Sequence, residues 1–315
     1  MIQGGNLKTG LQLPHIYNLP PWEILPYEPV SPDKDISGER LKVMGSLTSS
    51  VSEADSVSRS FVLLVPAESV IQRVIPKEIL NNAVLRLGLG DSLERDIISE
   101  SLVVGGYRRS DIVEDKGEFS IRGGILDIYP PDSQNPFRIE FMADTVESIR
   151  EFDPSTQRSI REVKDVKIVP ARELILRKDI LERGIGTIKG WSGDGEDIVK
   201  RLESGLPVPG VERLSPFFYE KMDTIFDYVP SDTVIIVDEP SLLYKKIEDF
   251  WKLVEREYRE SMLRGDLSPP PADLFVSENE LRGLLELRYT IQLNSLKLSE
   301  EDVCTIFDIE PVEQF

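Results

Sequence analysis

The sequence predicts an α/β chain with a small antiparallel sheet in its middle. Three observations carry this. Phe61-Val62-Leu63-Leu64-Val65 and Thr233-Val234-Ile235-Ile236-Val237 are short, unbroken apolar runs of the kind buried in parallel sheets. Between them, Phe119 and Ile121, then Phe137, Ile139 and Phe141, alternate with polar residues, the period of strands with one wet face. From Leu243 onward, Ile247, Phe250, Trp251, Val254 and Tyr258 recur every three or four residues, which marks an amphipathic helix of about four or five turns.

The elements follow in order. Pro14, Pro20, Pro21, Pro26, Pro29 and Pro32 favour loop and short strand, because proline fixes φ and pushes its predecessor to extended geometry. A helix is expected from Ile36 to Leu47, capped by Ser37 or Asp35. The Ser-rich stretch Thr48 to Ser60 reads as a linker. A helical stretch from Ala67 to Arg73 follows the first apolar run. Gly123-Gly124 and Pro130-Pro131 bound the strand Ile125-Leu126-Asp127-Ile128-Tyr129, and Arg122, Arg138 and Glu140 fall on the wet face. Thr187 to Glu196 is a Gly/Asp-rich loop. The second apolar run ends in Asp238-Glu239, and Ser268-Pro269-Pro270-Pro271 breaks the long helix.

A length of 315 residues suits two or three domains. With 37 Lys+Arg against 56 Asp+Glu, the net charge of −19 repels nucleic-acid phosphates and argues against a free-standing DNA-binding domain. The excess is uneven: residues 1–100 carry a net −4, residues 101–175 a net −3, and residues 176–315 a net −12. A partner that reads arginines belongs with the middle segment. Cys304, the one cysteine, excludes an internal disulfide, favours a reducing compartment and reads as a small core residue. His15, the one histidine, excludes a multi-histidine zinc site and leaves Ser, Thr and Lys nucleophiles without a base. No leader pattern or long apolar stretch occurs, so a cytoplasmic chain without membrane contact is expected.

No constellation makes a convincing active site. Gly4-Gly5-Asn6-Leu7-Lys8-Thr9 has the Lys-Thr of a phosphate loop, but Leu7 stands where glycine is required and no strand precedes it. Asp238-Glu239 has the form of a Mg²⁺-holding pair after a strand, yet acids at strand ends are common and no phosphate loop accompanies it. No cofactor or metal is therefore expected. What remains is Arg108, Arg109, Arg122 and Arg138, with Phe141 nearby. Arginine plus aromatic is the usual make-up of a protein-binding hot spot. The competing reading is a self-paired solvated face, with Arg138 to Glu140 or Arg122 to an acid across the sheet.

Three longer motifs carry a resemblance. They are Gly117-Glu118-Phe119-Ser120-Ile121-Arg122-Gly123-Gly124-Ile125-Leu126-Asp127-Ile128-Tyr129-Pro130, then Pro136-Phe137-Arg138-Ile139-Glu140-Phe141, then Val146-Glu147-Ser148-Ile149-Arg150. Together they resemble the interaction domain shared by the excision-repair protein UvrB and the bacterial transcription-repair coupling factors, the Mfd family. Phe152-Asp153-Pro154-Ser155-Thr156-Gln157-Arg158-Ser159, Pro21-Trp22-Glu23-Ile24-Leu25-Pro26-Tyr27-Glu28, Pro209-Gly210-Val211-Glu212 and Ile225-Phe226-Asp227-Tyr228-Val229-Pro230 favour the coupling factors. The resemblance spans roughly residues 20–300.

The resemblance implies a degenerate helicase-like parallel-sheet domain in two pieces, residues 1–75 and 174–315. A small β-rich interaction domain, residues 76–173, is inserted between them. The stretch before Trp22 is shorter than the family norm, so the first piece is expected to be incomplete and the chain a fragment or split-gene product. The implied role is recruitment of the repair ATPase UvrA, without ATP hydrolysis by this chain. The ATP/Mg²⁺ motor and the contacts to RNA polymerase and DNA belong to other parts of that family's proteins. By position, the UvrA-contacting residues fall on Arg109, Arg122, Arg138, Glu140 and Phe141, while another arginine of that surface falls on Ser120. The alternatives are a piece of a UvrB-like helicase ATPase, or a remnant with no partner.

Overall fold

The structure, a computed structural model, describes residues 14–48, 60–191 and 193–295. The phosphate-loop-like stretch 4–9, most of the proposed linker and Cys304 lie outside the described residues. In chain order the strands are β1 (His15–Asn18), β2 (Phe61–Leu64), β3 (Leu85–Gly88), β4 (Arg108–Arg109), β5 (Glu118–Arg122), β6 (Ile125–Ile128), β7 (Phe137–Met142), β8 (Thr145–Phe152), β9 (Ser159–Val163), β10 (Asp165–Ile168), β11 (Ile235–Asp238) and β12 (Thr290–Leu293). The fold is mixed α/β. β1 pairs with β2 and β11 with β12, both parallel, while β4 to β9 form one six-stranded sheet in sequence order. That sheet is antiparallel except for the short β4–β5 pair.

The two apolar runs are strands in parallel pairs, as expected, but each is buried on one face and not both. Tyr17, Phe61 and Leu63, like Ile235 and Val237, pack on the larger core. Ile16, Val62, Leu64, Val234, Ile236, Ile291 and Leu293 are exposed on the outer faces. The difference is physical: a continuous apolar strand is covered twice only where a sheet carries helices on both sides.

The first long helix runs from Lys34 to Thr48. Its cap is Asp33, not Ser37 or Asp35. The Asp33 carboxylate accepts the Asp35 amide at 2.8 Å, and its carbonyl accepts the Ser37 amide at 2.9 Å. The second long helix spans 25 residues, Pro240–Arg264, longer than its apolar stripe suggested. Charged pairs such as Lys245–Asp249 and Lys252–Glu248 at four-residue spacing support its wet face. It stops at Gly265, whose φ of 81° makes the left-handed cap, before the proline run is reached.

A second core lies within the middle of the chain. Phe119, Leu126, Ile128, Ile139, Phe141 and Ile149 on one face of the six-stranded sheet pack against Ile98 and Leu102 of the helix Arg95–Val104. Leu80 and Val84 still belong to the larger core and Leu87 to the smaller, and the chain crosses back between Ile168 and Val169.

One face of the helix Lys34–Thr48 forms the seam between the two bodies. Lys116 Nζ pairs with Asp35 at 2.7 Å, and Lys167 Nζ donates to the Gly45 carbonyl at 2.6 Å. Gly38 faces the Pro131 backbone so closely that a Cβ there would sit 2.7 Å from the Pro131 carbonyl oxygen. Beside the seam, the fully buried Arg40 donates to Glu173 at 2.6 Å, and Trp22 Nε1 donates to the same carboxylate at 2.9 Å. The Trp22 segment is thereby tied to residues 151 positions away.

Candidate protein-binding surface

The outer face of the six-stranded sheet is built in rows by the strand register. One row reads Ser120, Asp127, Arg138, Arg150 and Glu162. The next reads Arg122, Ile125, Glu140 and Ser148. Side chains alternate across a strand, so Arg138, Glu140 and Met142 of β7 share this face while Ile139 and Phe141 point into the core.

The arginines are not equivalent. Arg138 Nε and Nη2 reach the two oxygens of Asp127 at 2.7 and 2.9 Å, and Nη1 reaches the Gln157 carbonyl at 3.3 Å. Its guanidinium also stacks on the Phe152 ring, 4.7 Å from the centroid. The hydrogen bond to Asp127, outweighing burial, holds Arg138 above the usual arginine range. Its side chain is 19% exposed and its donors are largely committed. Arg122 is 54% exposed and spends one nitrogen on Asp127 Oδ2 at 2.9 Å. Its Nε and Nη1 make no hydrogen bond among the described residues.

The run from Phe152 to Ser159 has a structural task here. The Asp153 carboxylate accepts the Ser155 and Thr156 amides at 2.9 and 2.8 Å, closing a turn. The turn sets Gln157 at a φ of 59° and aims its carbonyl at Arg138.

The sequence-predicted site residues separate into three groups. Arg122, Arg138 and Glu140 share the outer face. Arg138 pairs with Asp127 and not with Glu140, because Asp127 lies directly across the β6–β7 ladder. Glu140 instead takes Arg150 at 3.1 Å and the Ser148 hydroxyl at 2.8 Å. Arg122 does meet an acid across the sheet, Asp127, through one nitrogen only. Phe141 is 8% exposed and belongs to the small core, so it is not an anchor on this face. Arg109 is exposed on the edge strand, but its register partner is Phe119, a core-facing position. Arg108 sits beside Glu118 instead and ion-pairs with it. Burial pushes the Glu118 carboxyl up, but the amides of Glu114 and Asp115 and the Arg108 guanidinium together hold it below the usual range.

Two residues of the face were not singled out from sequence. Met142 is 65% exposed, and counting alternately from Arg138 places it there. Asp127 is 1% exposed although it lies on the polar side; the two arginines cover it. Among the described residues no His, Cys, Asp or Glu side chains gather to hold a metal ion, and no helix is long and apolar enough to cross a membrane. The Glu239 carboxylate accepts the Ser295 amide at 2.7 Å, which ties β11 to the end of β12.

The same stretch of chain is what a comparison with known families picks out. Residues 85–174 match the UvrB interaction domain. The UvrB interaction domain match contains the whole arginine face, its core and the turn at Gln157. The similarity to curated proteins runs further. A transcription-repair-coupling factor of Myxococcus xanthus is 31% identical over 304 residues, covering 93% of this chain and 25% of that protein. That of Haemophilus influenzae is 30% identical over 287 residues, 89% of this chain and 24% of the relative. That of Escherichia coli K12 is 33% identical over 228 residues, 70% of this chain and 19% of the relative. The chain therefore spans a quarter or less of these relatives.

Proposed function

We propose that this chain is a UvrA-recruiting module of transcription-coupled nucleotide excision repair, a binding protein and not an enzyme in its own right. The observation that carries this reading is Arg122: half-exposed, with free donors, on a pre-ordered face inside the residues that match the UvrB interaction domain. Arg138 and Glu140 hold the face in shape. Met142, and not Phe141, supplies its exposed apolar surface, and Arg109 lies at the sheet edge off this face. The larger body is a degenerate helicase-like domain interrupted by the insert. Contacts to RNA polymerase and DNA, and an ATP-driven motor, fall to parts of the relatives that this chain does not align with. The setting is the cytoplasm.

The test is a titration of UvrA with the wild-type chain and with Arg122→Ala. Loss of a central arginine is expected to cost on the order of 2 kcal/mol, about thirtyfold in affinity. Equal affinities would place the interaction elsewhere. Saturable ATP binding by the chain would favour the helicase reading instead.

A further inference from the structure

Asp127 stands in β6 between two core residues, Leu126 and Ile128, yet points to the polar face and is almost wholly covered. Both of its oxygens are used. Oδ1 accepts Arg138 Nε at 2.7 Å, and Oδ2 accepts Arg138 Nη2 and Arg122 Nη2, each at 2.9 Å. A guanidinium gripped at two points and laid on the Phe152 ring has no free rotation left. Arg122 is gripped at one point, which fixes its direction while leaving donors open to an incoming group.

We propose that Asp127 is the positioning residue of this surface: it locks Arg138 as a floor and tethers Arg122 by one nitrogen, so that the free edge of Arg122 is aimed at a carboxylate on the partner. This rests on the reading of the face as a UvrA-binding surface. Two effects of Asp127 have opposite signs. Its charge subtracts from the field of the arginines, so removing charge alone would tighten the capture of an acidic partner. Its grip restricts two long side chains before binding, so losing the grip would make binding immobilise them and would weaken it.

The experiment titrates UvrA against wild type, Asp127→Asn, Arg122→Ala and the double variant, with thermal unfolding of each. Asp127→Asn is expected to weaken binding about tenfold, and by clearly less when Arg122 is already alanine, the remainder being the release of Arg138. A general structural defect would instead add the same loss in both backgrounds. Unchanged or tighter binding by Asp127→Asn, with Arg122→Ala still weakened, overturns the positioning role and leaves the surface reading intact. No effect of Arg122→Ala overturns the surface reading, and the positioning role with it. Should Asp127→Asn fail to fold, Arg138→Lys carries the test. It keeps the charge but cannot hold both oxygens, so it too should weaken binding, and unchanged affinity counts against the proposal.

Discussion

Phe141 and Met142 are neighbours in β7 with opposite tasks. Phe141 fills the small core, so Phe141→Ala should destabilise the chain by about 3–5 kcal/mol, read as a lower unfolding midpoint. Met142→Ala should shift stability by no more than about 0.5 kcal/mol. It should nonetheless weaken UvrA binding, a split that titration and denaturation resolve together. The two faces were legible in the sequence at this scale, since alternation from Phe137 puts 138, 140 and 142 on one side. What alternation could not give is commitment. Arg122 and Arg138 look alike in the sequence, and their difference arises from Asp127, Phe152 and Gln157, which three separate strands and turns bring together.

Among the elements, the helix Lys34–Thr48 decides how the two bodies meet. Gly38 is there because nothing larger fits against Pro131. Gly38→Ala should force the β6–β7 turn away and cost about 1–3 kcal/mol, despite alanine's better helix propensity. Hydrogen exchange in residues 129–136 would report the displacement; unchanged exchange and stability would show that the seam adapts. The helix itself was visible in the sequence, but its cap was misplaced by proximity, since Asp33 and Asp35 are both acids near the start. The extent of the helix Pro240–Arg264 was understated for another reason. Its last turns are held by polar pairing and by the Gly265 cap, which an apolar count does not register. The outer faces of β2 and β11 show the limit of reading burial from composition: an apolar run states what a strand could cover, not what covers it.

Across the whole molecule, the seam has a pH dependence of its own. Asp132 lies next to Pro131 in the β6–β7 turn, with Lys167, Lys42 and Glu39 around it and no partner for its Oδ1. Burial raises its carboxyl to about 6, with weaker lowering by its own backbone amide, Lys167 and Lys42. A raised carboxyl contributes stability that is present in full below its ordinary value near 4 and is lost as pH rises through about 6. Asp132→Asn should therefore stabilise the chain at pH 7.5 by on the order of 2 kcal/mol, and do little at pH 3.5. A gain of equal size at both pH values would assign the effect to shape and not to charge. Lys167, on the same side of the seam, donates to the Gly45 carbonyl across it, and burial pulls its ammonium down to about 8.

The smaller body joins the larger by two chain crossings and by one face of the helix Lys34–Thr48. Mechanically it is a bracket and not a leash. Whatever seats on the arginine face is held at a set distance and attitude to the body. Its local concentration there is a property of geometry, independent of any linker length.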